Sequence, residues 1–318
     1  MHISKKYNKY SEYSEDINEA VRRDKDDFIK SCEQSYHGSI NDIACEIKKC
    51  KKASLILLAG PSSAGKTTTG LILISALKEL GINAKIISLD DFFYGKGMAP
   101  KLADGSFDYE SIEALDIPLM HKCFSELLET GKSYFPHFSF RLGHPLDEKK
   151  LLELHENDML IVEGIHALNP IISKNLPNDK LIKLYVSVKQ GIKSSDGQVL
   201  SNLDIRLLRR IVRDHKFRGS SVENTFSMWE QVCKGEKTNI APFKREAQMI
   251  INSIHMYEPC LMNSVAIDFL KEITPDSKYY IKTLELIGAL QLFDSIKEDD
   301  IPSTSLLREF IGDSVYYS

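Results

Sequence analysis

Five short apolar runs punctuate the chain: residues 54–60 (SLILLAG), 82–89 (INAKIISL), 159–164 (MLIVEG), 181–188 (LIKLYVSV) and 248–253 (QMIINS). Each has strand length, and the first and third are apolar at almost every position, as a strand covered on both faces must be. A helical pattern fills 67–80, and Gly81 follows where a helix end takes a left-handed residue. A second amphipathic pattern, 40–51 (INDIACEIKKCK), sets Ile40, Ile43, Ala44 and Ile47 on one face. The stretch before it reads as extended or loosely helical, and the stretch after about 254 as mainly helical. Strands alternating with helices predict an α/β fold, a doubly wound parallel sheet with right-handed crossovers. The expected organisation is a helical flank at 1–53, a core domain at 54–253 and a helical extension at 254–318. Ligands of such sheets bind beyond the C-terminal strand ends, where Gly60, Asp90 and Glu163 fall.

Charge and composition then exclude several classes. Among 318 residues, 45 acids against 41 bases give a net charge of −4, the opposite of the basic excess of a nucleic-acid or membrane-surface binder. Apolar residues make up 42%, enough for a sizeable core, yet no apolar run approaches membrane-spanning length. The polar first 30 residues contain no signal-peptide core. Six scattered cysteines without a CxxC pair read as reduced thiols, so a cytoplasmic protein is expected. None of the nine histidines has metal-ligand spacing.

The most specific signal follows the first apolar run. Gly60, Pro61, Ser62, Ser63, Ala64, Gly65, Lys66 and Thr67 match GxxxxGK[ST], between a predicted strand and a predicted helix, with Thr68 next in line. Small residues let successive backbone N–H groups curl around phosphate oxygens, and the helix adds the positive end of its dipole. Lys66 would bridge the β- and γ-phosphates, and the Thr67 hydroxyl would face Mg²⁺. The expected ligand is a nucleoside triphosphate.

What happens to that ligand depends on three further features. No NKxD base-reading motif of a GTPase and no LSGGQ signature of a transport ATPase is present. Asp90 ends the second strand, in SLDDFFY, where phosphoryl transfer to an alcohol needs a carboxylate to orient the hydroxyl and take its proton. A helix-capping acid is the plainer reading of that position. Glu163 closes the apolar run MLIVE and is placed to hold Mg²⁺ or its water shell. In DIRLLRRIVRD, Arg206, Arg209, Arg210 and Arg213 share one helical arc, with Ile205, Leu208 and Val212 opposite. Four like charges on one stripe repel unless an anion faces them, and a transferring phosphoryl group is such an anion. Arg218-Gly219 reads as a hinge, and Ser220-x-x-Glu223 as a capping box opening the next helix, together a mobile cover that excludes water.

With these residues in hand, the chain resembles the uridine kinase and phosphoribulokinase group of P-loop kinases, over roughly residues 45–262. The segments that carry the likeness are AGPSSAGKTTT, SLDDFFY, DGSFDYESIEALD, LIVEGIHALNP and LDIRLLRRIVRDHKFRG. It looks most like the nucleoside kinases that often follow a threonyl-tRNA-synthetase-like region, a region not visible in 1–53. The resemblance implies that Asp90 is the catalytic carboxylate and that Thr67, Asp90 and Glu163 surround Mg²⁺. It also implies that Asp108 meets a ribose hydroxyl and that Phe138 and Phe140 line a nucleoside pocket; alternation alone would make them core. Arg209, Arg213 and Arg218 then belong to the nucleotide side, and Arg210 and His144 to the acceptor side. Two positions depart from uridine–cytidine kinases. Gly143 stands at the register of the base-reading histidine, with His144 one residue later, and Ser220 stands where an arginine follows the lid's Arg-Gly.

The expected activity is ATP- and Mg²⁺-dependent phosphoryl transfer to a small-molecule hydroxyl, foremost a nucleoside 5′-hydroxyl. A sugar or other alcohol acceptor stays open, as does a nucleotide-sensing module without transfer. No nucleic-acid or membrane partner is expected, and a homo-oligomer is compatible with the sequence.

Overall fold

A computed structural model describes residues 7, 9, 10, 13–103, 105–174 and 176–317. All five apolar runs become strands of one parallel sheet: β1 (Leu55–Ala59), β2 (Ala84–Ser88), β3 (Met159–Glu163), β4 (Leu181–Ser187) and β5 (Met249–Asn252). Their order is β5-β4-β1-β3-β2, which sets the first strand in the middle. Every residue of β1 and β3 is buried, because helices cover both faces of a parallel sheet. Successive side chains alternate between two cores. Ile56 and Leu58 join one, with Ile40, Ile72 and Leu261, while Leu55, Leu57 and Ala59 join the other, with Phe92, Phe124 and Leu168.

The α-helices longer than ten residues are α1 (Ser14–Lys49), α2 (Lys66–Glu79), α3 (Ile117–Thr130), α4 (Asn202–Arg218), α5 (Val222–Gly235), α6 (Glu258–Leu270) and α7 (Tyr280–Leu290). The first corrects the expected loose N-terminal stretch. It runs back to Ser14, bent at Asp24, and buries Ile17, Ile29 and Tyr36 ahead of the predicted face. Ile17, Val21, Phe28, Cys32 and Tyr36 fit a helical spacing, but the charged run 22–27 (RRDKDD) interrupts it and hides the helix from periodicity alone. No helix among the described residues is long and apolar enough to cross a membrane.

Two local expectations also change. The cap of α5 is Ser221, whose side chain accepts from Asn224 N–H at 3.1 Å, whereas Ser220 Oγ accepts from the Asn224 amide at 2.8 Å. Glu223 is not part of a capping box but accepts from Ser277 Oγ. A capping box does open α4, between Ser201 and Asp204. The C-terminal extension packs on the body of the fold, burying Leu306, Leu307, Phe310 and Ile311.

Candidate active site

Register brings the site together. Leu58 pairs with Glu163, and Ser88 pairs with the same Glu163, so the phosphate loop, Asp90 and Glu163 leave the sheet at one level. Beyond β1 the chain turns tightly. A Cβ at Gly60 would lie 2.2 Å from the Val186 carbonyl oxygen of β4, so only glycine lets the loop start there. Ser63 and Gly65 both take positive φ, 58° and 84°, and Gly65 caps α2 in the left-handed region. This αL geometry turns backbone N–H groups inward, the arrangement that binds phosphate oxygens.

Within the loop Lys66 Nζ rests 3.4 Å from the Pro61 carbonyl, and the Thr67 hydroxyl lies 3.3 Å from Glu163 Oε1. Asp90 and Glu163 feel each other's charge, and Lys66 and then Arg218 compensate Asp90 most strongly. Burial raises the Asp90 carboxyl above its usual range, while Lys66 and Arg218 pull it back. Glu163 is pushed up to about 7, first by burial and then by Asp90. The buried Glu163 carboxyl, the half-buried Asp90 carboxyl and one hydroxyl form a hard, oxygen-only donor set, which suits Mg²⁺. No cluster of three or more His, Cys, Asp or Glu side chains could hold a metal among the described residues.

The arginine stripe divides its duties. Arg210 donates to Ser62 Oγ at 2.9 Å, and Arg206 to the Ser62 carbonyl at 3.0 Å and to Glu236 at 2.8 Å. The structure does not bring Arg209 to the open groove. It is fully buried, its donors spent on Glu258, Ser253 and the Ser63 carbonyl. Arg213 and Arg210 hold buried Asp214, and Arg218 stands 3.6 Å from it. The Arg218 guanidinium also lies 4.3 Å from the centre of the Phe140 ring, a cation–π approach. Burial lowers Arg218 to about 10, still charged at neutral pH.

A hairpin (Phe138–Ser139 against His144–Pro145) projects from the long excursion between β2 and β3. Phe138 packs on Phe93 with centroids 5.7 Å apart and on Phe140 at 5.3 Å. Gly143 turns the hairpin at φ 75°. The His144 ring is exposed and faces the Pro145 carbonyl at 2.9 Å. Asp108 Oδ1 accepts from Glu110 N–H at 3.1 Å.

Sequence reasoning missed four residues here. Asp91 anchors the hairpin, accepting from Phe138 N–H at 2.9 Å and lying 3.1 Å from His137 Nδ1. Glu110 has an inaccessible Oε2 without a partner and is raised to about 7, chiefly by burial, with Arg210 and Lys66 opposing. Buried His166, in GIHALNP, is lowered to about 4 by desolvation and is neutral. Glu309, from the C-terminal extension, reaches Thr68. The acidic doublet 90–91 and the acid two positions after Asp108 were visible signals for two of these. Nothing local marked the other two.

A GxxxxGK[ST] loop, two strand-end acids and arginines that reach the loop at Ser62 are the features of a P-loop kinase. Residues 55–258 match the family model described as "Phosphoribulokinase / Uridine kinase family", and the chain belongs to that family of kinases. Its ATP- and Mg²⁺-using members act on small molecules. The uridine kinase of Saccharomyces cerevisiae is 24% identical over 258 residues, spanning 80% of this chain but only 46% of its own length. That of Lactobacillus helveticus is 27% identical over 204 residues, 64% of this chain and 88% of its own. Among solved structures, phosphoribulokinase from Rhodobacter spheroides covers 62% of this chain and 68% of its own at 19% identity and a TM-score of 0.42. D-glycerate 3-kinase from Cryptococcus neoformans covers 69% and 88%, at 14% identity and a TM-score of 0.42.

Proposed function

We propose that this chain transfers the γ-phosphoryl group of ATP to the 5′-hydroxyl of a nucleoside. The observation that carries this reading is Asp90, a half-buried carboxyl at the end of β2 that feels the charge of Lys66 in the phosphate loop. The loop amides from Ser62 to Thr68 and Lys66 would hold the triphosphate. Thr67, Asp90 and Glu163 would hold Mg²⁺, which neutralises phosphate charge when bound. Asp90, made more basic by burial, orients the acceptor hydroxyl and takes its proton as the new O–P bond forms. Arg210, Arg213 and Arg218 oppose the charge that develops on the transferring group and on the leaving ADP. Asp108 and the rings of Phe138 and Phe140 would receive the nucleoside.

A non-nucleoside alcohol is the second reading, favoured by the hairpin. Gly143 carries no side chain to read a base, and His144 turns to the Pro145 carbonyl at its exposed tip. ADP release measured across a panel of nucleosides and sugars separates the two. Turnover with uridine or cytidine supports the first reading, and turnover with sugars alone supports the second. Tight ATP binding with no acceptor-stimulated ADP release would overturn transfer altogether.

A further inference from the structure

The C-terminal segment closes over the phosphate loop. Leu306 fills the space above Gly65, where an added Cβ would come within 2.6 Å of its Cδ1. Phe310 lies under the Arg209 guanidinium at 5.1 Å. Between them Glu309 Oε2 accepts from the Thr68 hydroxyl at 2.7 Å and from the Thr68 backbone N–H at 3.3 Å. Tyr317 adds its hydroxyl 2.6 Å from Thr68 Oγ1 and 3.4 Å from Glu309. Thr68 is thereby wholly buried. It stands in the first turn of α2, whose free N–H groups and positive dipole end make an anion site. The anion found there is this chain's own carboxylate, close enough to Glu163 to help raise it.

We propose that Glu309 competes with the nucleotide for the Thr68 donors, so that the docked C-terminal segment is an autoinhibitory contact that nucleotide must displace. This rests on the reading that the loop binds a nucleoside triphosphate. The phosphates end of that ligand which meets the loop amides needs the same N–H groups. A phosphate and a carboxylate cannot share one donor pair, because like charges at hydrogen-bond distance repel and each would leave the other without partners. Release is local. Leu306, Leu307, Phe310 and Ile311 are buried and hold the turn Arg308–Ile311 in place, whereas Val315 is 60% exposed and Tyr317 44%. Swinging the Glu309 side chain and freeing 313–317 opens the site while lifting only Tyr316 from the edge of the core and breaking the Val315 N–H bond to the Ser303 carbonyl. By linkage, a bound nucleotide loosens that terminal stretch as much as the stretch weakens nucleotide binding.

The test is calorimetric titration of MgATP into the full chain and into E309Q, E309A and Y317F, each checked for an unchanged melting profile. E309Q keeps the shape of the side chain and removes only its charge, so it carries the test if E309A does not fold. The expected result is affinity tightened about tenfold or more in the Glu309 variants and by less in Y317F. Hydrogen exchange at 313–317 should also speed up when MgATP binds the wild-type chain. Equal or weaker affinity in the folded Glu309 variants overturns the proposal while leaving the phosphate site intact. Absence of nucleotide binding in wild type and variants alike overturns the phosphate-site reading, and the proposal with it.

Discussion

Arg209 and Glu258 meet in a two-pronged pair, Nε to Oε1 at 2.5 Å and the second nitrogen to Oε2 at 2.7 Å, with neither side chain open to solvent. The pair joins α4 to the first turn of α6, and Arg209 also reaches the Ser63 carbonyl of the phosphate loop. Removing one partner strands the other as a buried charge. Arg209→Ala should lose about 3–5 kcal/mol of stability in urea denaturation. Replacing both residues with methionine should recover much of that loss, because an apolar pair needs no compensation. A single-variant loss below about 1 kcal/mol would contradict this account of the pair.

Asp90→Asn keeps the shape of the side chain and removes its ability to accept a proton. Acceptor-dependent ADP formation should fall on the order of 10²–10⁴-fold, with ATP affinity changed only a few-fold. Wild-type transfer rates in that variant would sink the role given to Asp90.

Glu110 allows a test by pH. Its folded-state value of about 7 lies above its ordinary 4.5, so the native chain binds the Glu110 proton more tightly than the unfolded chain does. That contribution to stability is present at low pH and is lost as pH rises from about 4.5 through 7. Glu110→Gln has no proton to lose. Its stability relative to wild type should therefore rise between pH 5.5 and pH 8, by on the order of 1–2 kcal/mol. Melting curves at the two pH values check this, and a difference that stays flat rules out the buried, partnerless carboxyl as its cause.

Asp91 holds the hairpin through Phe138 N–H and His137. Asp91→Ala frees Phe138 and Phe140 while leaving the phosphate loop alone. The acceptor KM should rise about tenfold, the cost of losing a charge-assisted hydrogen bond, at unchanged ATP affinity. A change confined to kcat would point to a different role for this side chain.

The sheet was legible because strands buried on both faces leave unbroken apolar runs, and the loop because its motif is contiguous. Asp90 and Glu163 were legible for a related reason, as acids that end such runs. The arginines were legible as a stripe but not in their partners. Helical arithmetic puts Arg206, Arg209, Arg210 and Arg213 on one face, yet the carboxylates that meet Arg206 and Arg209 come from Glu236 and Glu258, later in the chain. The N-terminal half of α1 was hidden because its burial depends on packing against the C-terminal region. Asn18 bonds the Leu292 carbonyl, and Arg22 pairs with Asp294. Glu309 meets Thr68 across 241 positions, a separation that no local pattern encodes.

The shared pairing of Glu163 with Leu58 and Ser88 bears on which length changes the chain tolerates. One residue inserted within Met159–Glu163 would turn Glu163 to the opposite face of the sheet and part it from Thr67. Residues added or deleted in the hairpin turn between Ser139 and His144 leave that phase, and Asp90, untouched, because the strands on either side set it. Insertions and deletions can accumulate in the stretch that would meet the acceptor, while the strands that align the phosphate chemistry admit none.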